Sequence, residues 1–143
     1  DSHGKTYTLS LDNNKVQLHP HTKSILIINF FDFNDPNSIV QVPYLKKLQE
    51  KYKDRLLVLG IPTEQSEGQE DLKTFVKMHQ IEYLITYETN QGELIDALAT
   101  LADIDQIMTP TTLIYHYGEN YSSYEGAAPV EMITHDILMI NKE

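Results

Sequence analysis

The side chains best placed to do chemistry fall in one short stretch, Asp32-Phe33-Asn34-Asp35-Pro36-Asn37-Ser38, with Gln41 a turn further on. Ser38 could be a nucleophile, but a serine hydroxyl needs a general base within reach, and no histidine follows at a telling spacing. The oxygens of Asp32, Asn34, Asp35, Asn37 and Ser38 could hold a hard cation. The stretch lacks, however, the D-x-[DN]-x-[DN]-G spacing and the distal Glu of a calcium loop. Asp35 can instead cap a helix, because its carboxylate accepts from the first free backbone N–H groups. Pro36 then takes the first helical position, where its missing N–H costs nothing. Capping is the simplest account of Asp35. The histidines add little: His19-Pro20-His21 could open a metal site, but no other ligand cluster supports it and a turn is the plainer reading. His79 falls near the end of a helix, where a cation favours the dipole. No metal and no cofactor is expected.

These residues need elements to hold them. Upstream, Ser24-Ile-Leu-Ile-Ile-Asn-Phe30 is short, β-branched and aromatic, and lacks a 3.6-residue period, so it reads as a fully buried central strand. Downstream, Ile39, Val42, Leu45, Leu48 and Tyr52 recur at steps of three or four, which predicts a helix with one apolar face. Pro43 lies inside it and is expected to kink it. Phe31 and Phe33, at the strand exit, are expected to be partly exposed, either as a partner groove or packed against a later proline turn.

The remaining elements follow in order. Thr6–Ser10 and Lys15–Leu18 alternate about Asp12-Asn13-Asn14 and predict a β-hairpin. Arg55–Gly60 reads as a second buried strand, followed by a polar loop over 65–70. Leu72, Phe75, Val76 and His79 share a helical face. Ile81–Tyr87 reads as a short strand or extended segment. Leu94, Ile95, Leu98 and Leu101 mark a helix over Glu93–Leu101. Ile107–Tyr115 is a strand with Pro110 near its start, Tyr117–Asn120 a turn, and Tyr121–Glu125 the return strand. Pro129–Asn141 is a last helix with Val130, Ile133, Ile137 and Ile140 inward. The order is α/β: a parallel centre with an antiparallel edge hairpin. No internal repeat or low-complexity tract is present.

Composition narrows the function classes. A chain of 143 residues with 41% hydrophobic and 22% charged residues is expected to form one domain, 1–143, with a proper core. A net charge of −10 argues against a nucleic-acid or anionic-membrane partner. No apolar run approaches the roughly 18 residues that cross a bilayer. The absence of an initiating Met suggests a mature or trimmed form. Cysteine is absent, so no disulfide framework and no thiol redox cycle can exist within the chain.

The strand, cap and helix resemble the active-site segment of the TlpA/ResA-like branch of the thioredoxin superfamily, a group of thiol-disulfide oxidoreductases with the pattern N-F-W-A-x-W-C-x-x-C-x-x-E-x-P-x-L. Here the pattern stands, without a gap, as Asn29-Phe30-Phe31-Asp32-Phe33-Asn34-Asp35-Pro36-Asn37-Ser38-Ile39-Val40-Gln41-Val42-Pro43-Tyr44-Leu45. Asp35 and Ser38 occupy the cysteine positions, and Gln41 occupies the acidic position that assists proton movement at the thiols. The resemblance extends over about residues 5 to 142. It implies a thioredoxin-like fold: a central mixed sheet flanked by helices, with an N-terminal β-hairpin. It further implies a cis bond at Thr109–Pro110, facing the altered motif.

The function expected from this resemblance is a cysteine-less pseudoenzyme. It would bind a protein or peptide partner by strand addition beside the cis-proline, through Phe33, Asn37, Met108, Thr109 and Pro110. The alternative is a family member that is an oxidoreductase by descent only, or one with a repurposed active site at Asp35 and Ser38. The family context suggests an extracytoplasmic bacterial setting, with any membrane anchor outside this segment.

Overall fold

A computed structural model describes residues 7–20, 23–63, 68–86, 92–127 and 130–141. Its elements are β1 (Thr8–Ser10), β2 (Gln17–His19), β3 (Ile25–Phe31), α1 (Pro36–Lys51), β4 (Leu56–Pro62), α2 (Gly68–Met78), β5 (Leu84–Ile85), α3 (Gly92–Leu101), β6 (Thr111–His116), β7 (Glu119–Glu125) and α4 (Val130–Asn141). The main sheet runs β5-β4-β3-β6-β7, and β1 and β2 form a separate antiparallel pair. Strands β3, β4 and β5 are parallel, whereas β6 and β7 run antiparallel.

Every residue of β3 is buried, which is why its sequence shows no polar alternation. Period-two geometry sends its side chains to opposite faces. Ile25, Ile27 and Phe31 join Val42, Leu45 and Leu48 of α1, Leu72 and Phe75 of α2, and Ile133, Ile137 and Ile140 of α4. Leu26, Ile28 and Phe30 join Leu98 and Ala99 of α3, with Val16 and Leu18 of the hairpin segment. The sheet is therefore covered on both sides, and the hairpin closes part of one side. It is tied there by the Val16 N–H donating to the Gly118 carbonyl at 2.8 Å. Tyr117 and Gly118 turn β6 into β7 with φ of 50° and 85°, a two-residue turn that favours glycine.

Several expectations need correction. Phe31 is not exposed: it is buried and stacks on Phe75 at a centroid distance of 5.8 Å. Phe33 is partly buried against the same ring at 6.0 Å, so both aromatics lean on α2. The helix α1 is assigned continuously over Pro36–Lys51 with Pro43 inside it, and Val42, Leu45 and Leu48 on either side of that proline are buried in one core. Only Leu84–Ile85 of the Ile81–Tyr87 segment forms a strand; Ile81 and Tyr83 are buried without joining the ladder. Strand β6 begins after Pro110, not at Ile107. His79 lies just past α2, with its ring 4.4 Å from that of Phe75. Thr6, His21, 64–67, Tyr87 and Pro129 lie outside the described residues.

On the edge strand, the Ser122 and Tyr124 hydroxyls both donate to the Asp136 carboxylate, the former at 2.8 Å, and so fasten α4 to β7. Burial, reinforced by Asp136, pushes Tyr124 up to about 12. All four methionines are exposed: Met78, Met108, Met132 and Met139.

Candidate functional site

The parallel and antiparallel registers decide what meets at the altered motif. Phe30 pairs with Thr111 across β3 and β6. Asp35 follows β3 by one short turn and Pro110 immediately precedes Thr111, so both lie at the same end of the sheet. The Thr109–Pro110 bond is cis, and so is His19–Pro20.

The motif is closed on itself by hydrogen bonds. Asp35 adopts extended backbone at the start of α1 and accepts from the Asn37 N–H at 3.2 Å. Its second carboxylate oxygen accepts from the Ser38 hydroxyl, also at 3.2 Å. The Ser38 oxygen in turn accepts from the Asp32 N–H. Asp32 takes the Asn34 N–H at 2.8 Å and, through its carbonyl, the Asp35 N–H at 2.9 Å. The two positions that carry thiols in the resembled pattern are thus bridged by an O–H···O hydrogen bond. Ser38 is only 1% exposed and its hydroxyl faces a carboxylate, not an imidazole. The Asp32, Asp35 and Ser38 oxygens serve this cap and turn, and among the described residues no group of three or more His, Cys, Asp or Glu could hold a metal.

Sequence reasoning missed what lies beneath. Asn29, buried in the middle of β3, donates through Nδ2 to the Gln41 carbonyl at 3.1 Å and to the Thr112 hydroxyl at 3.2 Å. The available signal was a lone amide within an apolar strand, since a buried amide must find partners. Gln41 is 5% exposed, and its Nε2 has no partner among the described residues. The position expected to carry a proton-moving carboxyl therefore holds a neutral amide that joins α1 to β3 and β6. Asn29→Ala removes both bonds and leaves two buried acceptors short. We expect it to lower unfolding free energy by about 2–4 kcal/mol, read from urea midpoints. A loss under about 0.5 kcal/mol would show that the network contributes nothing.

Around Pro110, the Pro110 carbonyl accepts from the Gly126 N–H at 2.8 Å and the Met108 carbonyl from the Thr111 hydroxyl at 2.6 Å. Between them, no hydrogen bond among the described residues engages the Thr109 backbone. Met108 is 53% exposed and Asn37 is exposed, while Pro110 is buried. Phe33, partly buried, stands on the same loop as Asp32 and Asn34.

This is a thioredoxin-like fold with oxygen side chains where a thiol-disulfide exchanger has its pair of sulfurs. It is similar to solved structures of such exchangers. A protein from Chlorobium tepidum described as the thiol:disulfide interchange protein DsbE matches with TM-score 0.73 and 16% identity, over 94% of this chain and 93% of that one. StoA from Bacillus subtilis matches with TM-score 0.69 and 17% identity, over 92% and 96%. A secreted Mycobacterium tuberculosis disulfide oxidoreductase homologous to E. coli DsbE matches with TM-score 0.62 and 12% identity, over 81% of each. At these identities the likeness shows the fold. By sequence, no protein-family model and no curated protein matches the chain.

Proposed function

We propose that this chain is a redox-inactive thioredoxin-like protein that binds an extended protein or peptide segment at the Thr109–Pro110 face. The observation that carries the reading is the Asp35–Ser38 hydrogen bond. It occupies the position of the reactive pair on an otherwise matching scaffold, in a chain with no cysteine. Such a chain cannot itself exchange thiols. What remains is the Thr109 backbone, which no hydrogen bond among the described residues engages, beside exposed Met108 and at the same end of the sheet as exposed Asn37; this suits pairing with a strand. Ser38, buried and hydrogen-bonded to a carboxylate, does not favour a repurposed hydrolytic site. The same reading sets the protein outside the cytoplasm, as a structural neighbour is described as secreted. Among the described residues no helix is long and apolar enough to cross a membrane.

Two measurements test this. In an insulin-reduction assay the chain should give no rate above that of the reductant alone; turnover would end the proposal. In an amide-shift titration with extended peptides, Asn37, Met108, Thr109 and Thr111 should move first. Shifts confined to any other face would remove the binding half of the reading.

A further inference from the structure

Lysine and arginine are unevenly distributed along this chain. The sequence has 11 Lys and Arg, yet none falls within 24–45 or 78–141, the spans that supply the motif loop and the whole approach to Pro110 and beyond. Carboxylates stand near Asp35 and Pro110. Asp32 and Asp35 follow β3, and Asp105 lies four residues before Thr109 in the connection from α3 to β6. Glu125 pairs across the sheet with Thr111, beside Pro110.

The opposite end carries both signs. Lys51 closes α1 and Lys53 and Arg55 follow it, with Glu50 and Asp54 among them. Lys23 precedes β3, and Lys15 adjoins Val16, which is bonded to the β6–β7 turn where Glu119 begins β7.

We infer that the segment received at the Thr109–Pro110 face is cationic, an extended stretch carrying lysine or arginine at alternate positions. The inference rests on the strand-addition reading above and names the chemistry of its partner. The backbone of Thr109 offers a donor and an acceptor that any sequence can use. Charge can then select among sequences, because the motif loop and the residues on either side of Thr109 carry carboxylates and no lysine or arginine. A glutamate-bearing segment meets repulsion from Asp32, Asp35, Asp105 and Glu125. A lysine-bearing segment meets the reverse.

The test uses three capped peptides of equal length that alternate threonine with lysine, glutamine or glutamate, titrated into labelled protein. At about 0.01 M salt the lysine peptide should bind about tenfold or more tightly than the glutamate peptide. The gap should close near about 1 M, where charges are screened beyond about 3 Å. The variant Asp32→Asn/Asp35→Asn/Asp105→Asn/Glu125→Gln retains acceptor oxygens for the cap and turn, and should lose the preference while remaining folded. If the glutamine or glutamate peptide moves Thr109 as readily as the lysine peptide at low salt, this inference is overturned and strand addition stands. If the variant still prefers lysine, the inference is also overturned. If none of the peptides moves Thr109, strand addition itself fails.

Discussion

Replacing Asp35 and Ser38 together by cysteine will turn this chain into an insulin reductase in the presence of dithiothreitol; neither single replacement will. The Asp35 carboxylate sits where the first turn of α1 presents free N–H groups, and it already accepts from Asn37. A thiolate installed at position 35 would meet the same positive end of the helix, which lowers a thiol's pKa. The Ser38 hydroxyl lies 3.2 Å from that carboxylate, so a thiol at position 38 can close on its partner across one helical turn. Electrons balance: the dithiol becomes a disulfide, an insulin disulfide becomes two thiols, and dithiothreitol restores the dithiol. Loss of the cap should cost about 1 kcal/mol, which a domain of ordinary stability tolerates. Adding Gln41→Glu should raise the rate further, since a buried carboxyl there holds its proton to higher pH and can pass it to the leaving thiolate. A double variant that forms its disulfide by mass spectrometry, yet gives no rate above the reductant, would show that more than sulfur has been lost.

The second large effect is expected in alkali. Burial raises the Tyr83 and Tyr115 phenols above their ordinary value of about 10, Tyr115 being only 1% exposed. The folded state then keeps both protons while the unfolded state releases them. The stability they contribute is complete below about pH 10 and is lost as pH rises beyond it. Each group costs about 1.4 kcal/mol per pH unit, together about 3, so a domain of about 5–15 kcal/mol opens within a few units. Urea midpoints between about pH 8 and 12, with tyrosinate absorbance, report this. The Tyr83→Phe/Tyr115→Phe variant should flatten the decline. At neutral pH, Tyr115→Phe alone should add about 1 kcal/mol, because the Tyr115 hydroxyl is buried without a partner among the described residues. Ionisation of all nine tyrosines together in the folded protein would overturn the account.

Much of the fold was legible because it is written locally. The unbroken apolar run of β3, the Asp35-Pro36 start of α1 and the steps of three and four in α1, α3 and α4 each report burial or capping within a few residues. What escaped was non-local. Periodicity reports burial and not pairing, so Ile81–Tyr87 read as a short strand or extended segment without showing that only Leu84–Ile85 joins the ladder. Phe31 read as exposed because its cover, Phe75, lies on another helix. The Asn29–Gln41–Thr112 network depends on a strand register that brings Thr112 opposite Asn29, which no local pattern contains. The two long spans without lysine are visible in the sequence, but only the topology brings Asp32, Asp35 and Glu125 to one end of the sheet.

The surface positions of the methionines bear on how this protein ages. Met78, Met108, Met132 and Met139 carry the chain's whole stock of sulfur, and none of it lies within the packed interior. Peroxide will turn those thioethers into sulfoxides at the periphery, where the added oxygen meets water and not a neighbouring side chain. A scaffold shared with proteins that must be kept reduced or oxidised to work can here spend its life in air, and any wear will show first at Met78, the most exposed of the four.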